Sequence, residues 1–194
     1  MAQYGLDCTC SFVAALACVV GHAYARAMPG NDVPESPFRP ADDEARALAR
    51  TLLAQAAFAA LGVLEPETGA PMVTRIALAT VPDGAPLTLI SDLALHAGAL
   101  RADPRCSLLV GEPGRKGDPL THPRLTLRCR AGFAQHDDPG HAALRRHYLA
   151  QRPKAALYAD FADFHFVTMR IEAGYLNAGF GRAYRLAPAD ILPG

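Results

Sequence analysis

Three side chains in the stretch Pro71–Leu100 have the types and spacing to hold an anion: Arg75, Ser91 and His96. On an extended strand Arg75 shares a face with Val73, Ala77 and Ala79, while Ile76 and Leu78 point the other way, towards a core. An arginine flanked by alanines leaves room for a flat group to lie against the backbone. A second strand ends at Ser91, where the pattern predicts a helix over Asp92–Ala102. A helix start offers free N–H groups and positive potential, which suits a phosphate. Arg75, the Ser91 hydroxyl and His96 then have the means to converge on one phosphate. The residues alone equally allow Ser91 or Asp92 to be a cap, Arg75 a solvated strand residue and His96 a surface residue. The chain has no GxxxxGK[ST] and no GxGxxG, so the nucleotide sites built on those loops have no support.

The elements that must position these groups are legible along the chain. Arg39-Pro40 followed by Asp42, Asp43 and Glu44 reads as a helix start, and Leu48, Leu52 and Ala56 repeat at helical spacing, which predicts a helix over 41–56. Phe58–Leu64 reads as a strand. Val73–Val81 and Pro86–Ser91 read as two strands around the turn Pro82-Asp83-Gly84. Asp103-Pro104 stops the short helix before them, and Cys106–Gly111 is a further apolar strand. Glu112–Pro123 is rich in Gly and Pro and reads as a loop. Leu125, Leu127, Cys129, Ala131 and Phe133 alternate with Thr126, Arg128 and Arg130, the pattern of a long half-buried strand. A helix capped at Asp138-Pro139 runs to about Gln151, Pro153–Phe161 is a second helical stretch, and Phe164–Ala173 and Tyr175–Tyr184 read as closing strands. Strands outnumber helices and no regular βαβ alternation is visible. The fold class is therefore mainly β (α+β): an antiparallel sheet of about six strands closed into a small barrel, with helices packed outside.

Composition excludes several functions. The 194 residues carry 19 basic and 19 acidic side chains, a net charge of zero, which gives no basic excess for nucleic acid. No apolar run reaches the roughly 18 residues that span a bilayer. Two of the five cysteines, Cys106 and Cys129, lie in strand-like runs and read as buried thiols; no CxxC or HExxH points to a metal. Residues 1–27 differ from the rest. Phe12–Gly21 is an apolar run with small residues after it, but no Lys or Arg precedes it and Asp7 is negative, contrary to a signal peptide. Met28 reads as the natural start, residues 1–27 as a leader or upstream extension outside the fold, and residues 28–194 as one domain. The expected location is cytoplasmic, or secreted if residues 1–27 are a signal peptide.

The order of helix, PxxxRIA strand, short turn, LxLIS, LHxxxLxxDPR, SLLV, GDPLTHPRLTL and GFGRA resembles the pyridoxamine 5'-phosphate oxidase-like FMN-binding split barrels, most of all their haem-utilisation (HugZ-like) branch. The resemblance covers roughly residues 42–186. It implies a homodimer that holds FMN between subunits and passes redox equivalents to a small-molecule substrate. Arg75, Ser91 and His96 match the family's phosphate positions. Arg75, Ile76, Ala77 and Leu78 would run beside the flavin ring, and Lys116, Arg124 and Arg182 would be further contacts. Tyr148 and Arg152 fall in the segment that holds a substrate phosphate. Thr80, Ala156 and Tyr184 stand where the oxidase has lysine, serine and histidine, which argues against vitamin B6 oxidation. The alternative implied by the resemblance is a protein that binds flavin or haem without turnover.

Overall fold

The computed structural model describes residues 37–193, so the leader expected over 1–27 lies outside the described residues. The first helix, α1 (Asp43–Gln55), starts where the acidic run predicts. Asp42 is its N-cap, accepting a bond from the Ala45 amide at 2.7 Å, and Asp43 and Glu44 fill the first turn. Its most buried stripe is Ala45, Ala49 and Leu53, three residues out of phase with the stripe Leu48, Leu52 and Ala56, which packs at the flank. The small alanines let the helix axis come close to the sheet.

Strands β1 (Phe58–Leu64), β2 (Pro71–Ala77), β3 (Ala79–Thr80) and β4 (Pro86–Ser91) follow. After them come α2 (Leu95–Ala102), β5 (Arg105–Val110), a 3-10 turn (Pro119–Thr121) and β6 (Arg124–Phe133). Then come α3 (His141–Gln151), a 3-10 turn (Pro153–Leu157), β7 (Phe164–Asn177), β8 (Ala183–Leu186) and α4 (Pro188–Ile191). All strand pairings are antiparallel, in the order β2-β1-β5-β6-β7-β4-β3, with β8 added beside β7. The two ends of that order belong to one stretch of chain. β2 pairs with β1 through Ala77↔Phe58, β3 pairs with β4 through Ala79↔Leu87, and only Leu78 separates them. The sheet therefore curls on itself. Taking Pro71–Thr80 as one bent strand, the ring has six strands, in line with the expected number of about six, with β8 outside it.

Two expected boundaries differ. The strand expected over Val73–Val81 is split at Leu78, because that residue turns its N–H to Ala57 O at 2.9 Å and leaves one neighbour for the other. The break expected at Gly174 is absent: β7 runs through it and is the longest strand. A Cβ at Gly174 would lie 2.5 Å from Ile191 Cδ1, so this glycine makes room for α4 rather than ending a strand.

Two apolar clusters follow from the alternation. The large one fills the barrel with Leu61, Leu78, Leu108, Leu125, Leu127 and Met169, and α1, α2 and α4 close it. The small one lies outside the barrel wall. There Ala79, Leu87, Leu89 and Phe166 meet Tyr148, Ala155 and Ala159 of the α3 region.

Candidate functional site

β2 turns Ile76 inward and leaves Val73, Arg75 and Ala77 exposed, as its alternation predicts. The Arg75 guanidinium lies 4.9 Å from the Phe58 ring centroid on the neighbouring strand. Among the described residues no carboxylate pairs with it, so its charge is available to a ligand. Ala79, Leu87 and Leu89 all face the outer cluster, so alternation puts Ser91 on the same outer face as Ala77 and Arg75. Arg75 itself pairs with Ala60 of β1, on the far side of the break at Leu78. Thr88, fully buried, donates from Oγ1 to Ala77 O at 2.7 Å and ties the two segments there.

The third part of the expected cluster differs. The helix begins at Leu95, not Asp92, and its N-cap Ala94 offers no side-chain bond. Ser91 to Ala94 form a turn instead. The Leu93 amide donates to Ser91 Oγ at 3.1 Å and the Asp92 amide to Asp163 O at 2.7 Å. Ser91 Oγ in turn donates to Asp163 Oδ2 at 2.6 Å. The hydroxyl expected to meet a phosphate is thus committed to a carboxylate, and Asp92 brings a second one. Partial burial lowers the His96 pKa below its usual 6.5, so the imidazole is neutral at pH 7. Of the three groups, only Arg75 brings an unspent positive charge.

The remaining candidates are dispersed. Lys116 sits in the exposed loop before β6, which His122 pins. The Gly114 amide donates to His122 Nδ1 at 3.3 Å, and Nε2 meets Lys116 O at 2.9 Å, so the network assigns the ring proton to Nε2. Arg124 donates to Leu120 O at 2.9 Å. Arg182 pairs with Glu44 at 3.0 Å and also donates to Ala178 O. Tyr148 is 1% exposed, stacks edge-on against Phe166 at 5.7 Å, and burial pushes its hydroxyl up to about 12. Arg152 donates to the carbonyls of Ala56, Ala57 and Gln151. Both hold the α3 region to the barrel. Asp138 does not cap α3: Gly140 is the N-cap, and Asp138 accepts instead from the Gln135 amide.

An open groove of about 510 Å³ lies on the outer face of the sheet, lined among others by Gly62, Val73, Ser107, Arg105, Arg128 and Glu172. Val73 is 72% and Leu109 43% exposed on this side. Beneath it are Cys106 and Cys129, paired across β5 and β6. Both thiols are buried and pushed up by burial, Cys106 to about 12, so they are inert. Sequence reasoning passed over Arg128 as a site residue, although its outward phase on β6 was visible. Asp163, the partner of Ser91, lies 72 residues away and left no local signal.

A family model described as pyridoxamine 5'-phosphate oxidase matches residues 45–178, well over half of the chain. The chain belongs to this family. Within the pyridoxamine 5'-phosphate oxidase-like proteins it is similar to the unconventional chloroplastic haem oxygenase HOZ of Arabidopsis thaliana. The identity is 40% over 104 residues, which cover 54% of this chain but 30% of that protein. It is also similar to the protein Atu2129 of unknown function from Agrobacterium tumefaciens. That match is 36% identical with a TM-score of 0.69, over 79% of this chain and 62% of that one. A haem-binding protein from Mycobacterium smegmatis is 29% identical, with a TM-score of 0.69, over 79% of this chain and 61% of that one. The chain thus spans under two thirds of each of these relatives. Among the described residues no helix is long and apolar enough to cross a membrane.

Proposed function

We propose that this chain binds haem on the exposed face of β1, β2 and β5, between two copies of itself. One observation carries the choice of haem over FMN: the Asp163 carboxylate on the Ser91 hydroxyl. A flavin phosphate needs donors at that end. It would meet one free cation, a neutral His96 and two carboxylates, so the residues do not fit a phosphate dianion. Haem asks for something else: a flat apolar wall and cations for two carboxylates. Val73, Ala77, Gly62 and Leu109 supply the wall; Arg75 and Arg128, which no carboxylate pairs among the described residues, supply the cations. Arg75, stacked beside Phe58, would hold one carboxylate, and the small residues of β1 would let a planar ring approach the backbone. A second copy closing over the face would exclude water from it. Haem, when bound, supplies iron redox chemistry; two of the similar proteins carry haem in their names.

A second reading, FMN-dependent oxidation of a small substrate, is favoured by the placement of Arg75 and Ser91 on one outer face. It requires Ser91 to exchange Asp163 for a phosphate. Titration of the purified full chain with haem and, separately, with FMN decides between them. Haem should give a saturable Soret shift at one equivalent per chain, with FMN washing off a desalting column. A yellow protein that retains one FMN and ignores haem would reverse the assignment.

A further inference from the structure

Away from that face, three histidines meet where the end of β6, the start of α3 and the start of β7 converge. His136 follows β6, His141 opens α3, and His165 is the second residue of β7. The His136 ring centroid is 5.0 Å from that of His141 and 5.5 Å from that of His165. An imidazole bound to zinc keeps its centroid roughly 3 Å from the ion, so two rings on a tetrahedral ion stand about 5 Å apart. The two spacings from His136 have that size.

Two nitrogens in the cluster are buried without any partner: Nε2 of His141 and Nδ1 of His165. Orphan buried polar atoms are rare and ask for an explanation. The other nitrogen of His165 gives one. Its Nε2 lies 2.8 Å from Asp92 Oδ2, and Asp92 is held in turn by Arg101 at 2.7 Å. A carboxylate accepts only from an N–H, so Nε2 carries a proton, and in the neutral ring Nδ1 then presents a bare lone pair. A carboxylate behind an imidazole whose far nitrogen is left free is the arrangement that orients metal-binding histidines. Phe133 and Phe166 wall the cluster, 6.2 Å from His165 and 5.2 Å from His141 respectively. They shield the lone pairs from water.

We propose that His136, His141 and His165 bind one divalent transition-metal ion of the zinc class through three imidazole nitrogens. Among the described residues no three such donors already stand at ligand geometry. The closing movement falls to His136, which is exposed on its turn, whereas His141 packs against Phe166 and His165 is held by Phe133 and Asp92. Imidazole donors select zinc, cobalt, nickel or copper over magnesium or calcium, which prefer oxygen. None of the three residues belongs to the haem face, so the inference stands apart from that reading.

The test is titration of the full chain, free of affinity tags and haem, with Co²⁺ followed by absorbance and with Zn²⁺ in competition with a chromophoric chelator. One equivalent should bind saturably, and Mg²⁺ should not compete. His136→Ala, at an exposed position that the fold does not need, should weaken binding by tenfold or more, and Asp92→Asn by roughly tenfold through its effect on His165. Arg75→Ala should leave it unchanged. In ¹⁵N spectra, Zn²⁺ should shift His165 Nδ1 and His141 Nε2. Absence of saturable binding, or binding of equal strength in His136→Ala and in the His136→Ala/His141→Ala double variant, would overturn the proposal.

Discussion

The two outer faces of this barrel are built on the same alternation and have opposite fates. Over β3, β4 and the start of β7, the outward residues are Ala79, Leu87, Leu89 and Phe166, and the α3 region covers them. Over β2, β1 and β5 the outward residues are Val73, Arg75, Gly62, Ser107 and Leu109, and no helix among the described residues packs over them. The covered side is large and apolar; the open side mixes small residues, isolated apolar side chains and unpaired arginines. Continuous apolar surface is self-sealing. A face of small groups and free cations keeps room and charge for something that arrives later. Outward alternation alone therefore does not distinguish a packing face from a binding face; residue size and the state of the charges do.

The sharpest way to break this contrast is to damage the covered side. Tyr148→Ala removes a ring buried against Phe166 and should cost about 3–5 kcal/mol of stability, read as a lower denaturation midpoint. The phenol alone should cost less: Tyr148→Phe keeps the ring and forfeits the hydroxyl's interaction with the Leu89 backbone, worth about 1 kcal/mol. If Tyr148→Ala left stability untouched, the α3 region would not be part of the fold's cooperative unit.

On the open side the effects should reverse. Arg75→Ala should leave the unfolding free energy of the ligand-free chain within about 0.5 kcal/mol of the parent, because Arg75 makes no ion pair among the described residues. It should weaken haem binding by about 1.5–3 kcal/mol, ten- to a hundredfold, as loss of a charge-assisted bond does. A variant that unfolds would make Arg75 a structural residue.

Smaller still is the pH effect at the edge of the open face. Asp103 is held down to about 2 by its side-chain bond to Arg105, reinforced by the Arg105 amide. A carboxylate depressed in the fold adds stability above its unfolded value of about 3.8 and loses it as pH falls towards 2. Asp103→Asn should therefore lower stability at pH 7 and pH 5 and change it little near pH 2, which narrows the gap between pH 5 and pH 2.5. His96 works in the same direction at higher pH. Burial lowers its pKa, so the neutral form favours the fold and stability falls as pH drops below the usual 6.5. His96→Gln should flatten that part of the profile in a pH series of melting curves.

The parts of the fold legible in the sequence were those written locally. β1, β4 and β6 follow from apolar runs and alternation, and α1 from its acidic cap. The exposure of Arg75 and the burial of Ile76 and Leu78 follow from the period of a strand. What the sequence hid was decided between distant segments. Ser91 lost its place at a helix start because Asp163 captured it. Gly174 looks like a break until Ile191 is seen to need its space. Tyr148 and Arg152 carry polar groups that suit a ligand, and only tertiary contacts show them holding α3 to the barrel. The histidine cluster gathers residues from three elements, and no spacing in the chain announces it.

The account turns on the Ser91–Asp163 pair, and one variant addresses it directly. Asp163→Asn removes the carboxylate from the phosphate end while keeping a side chain able to bond Ser91. Measured by equilibrium dialysis on full-length protein, the parent should bind haem at one equivalent per chain and retain no FMN, and Asp163→Asn should gain measurable FMN affinity. Tight FMN binding by the parent, unaffected by Asp163→Asn, would contradict the claim that this carboxylate sets the choice of ligand.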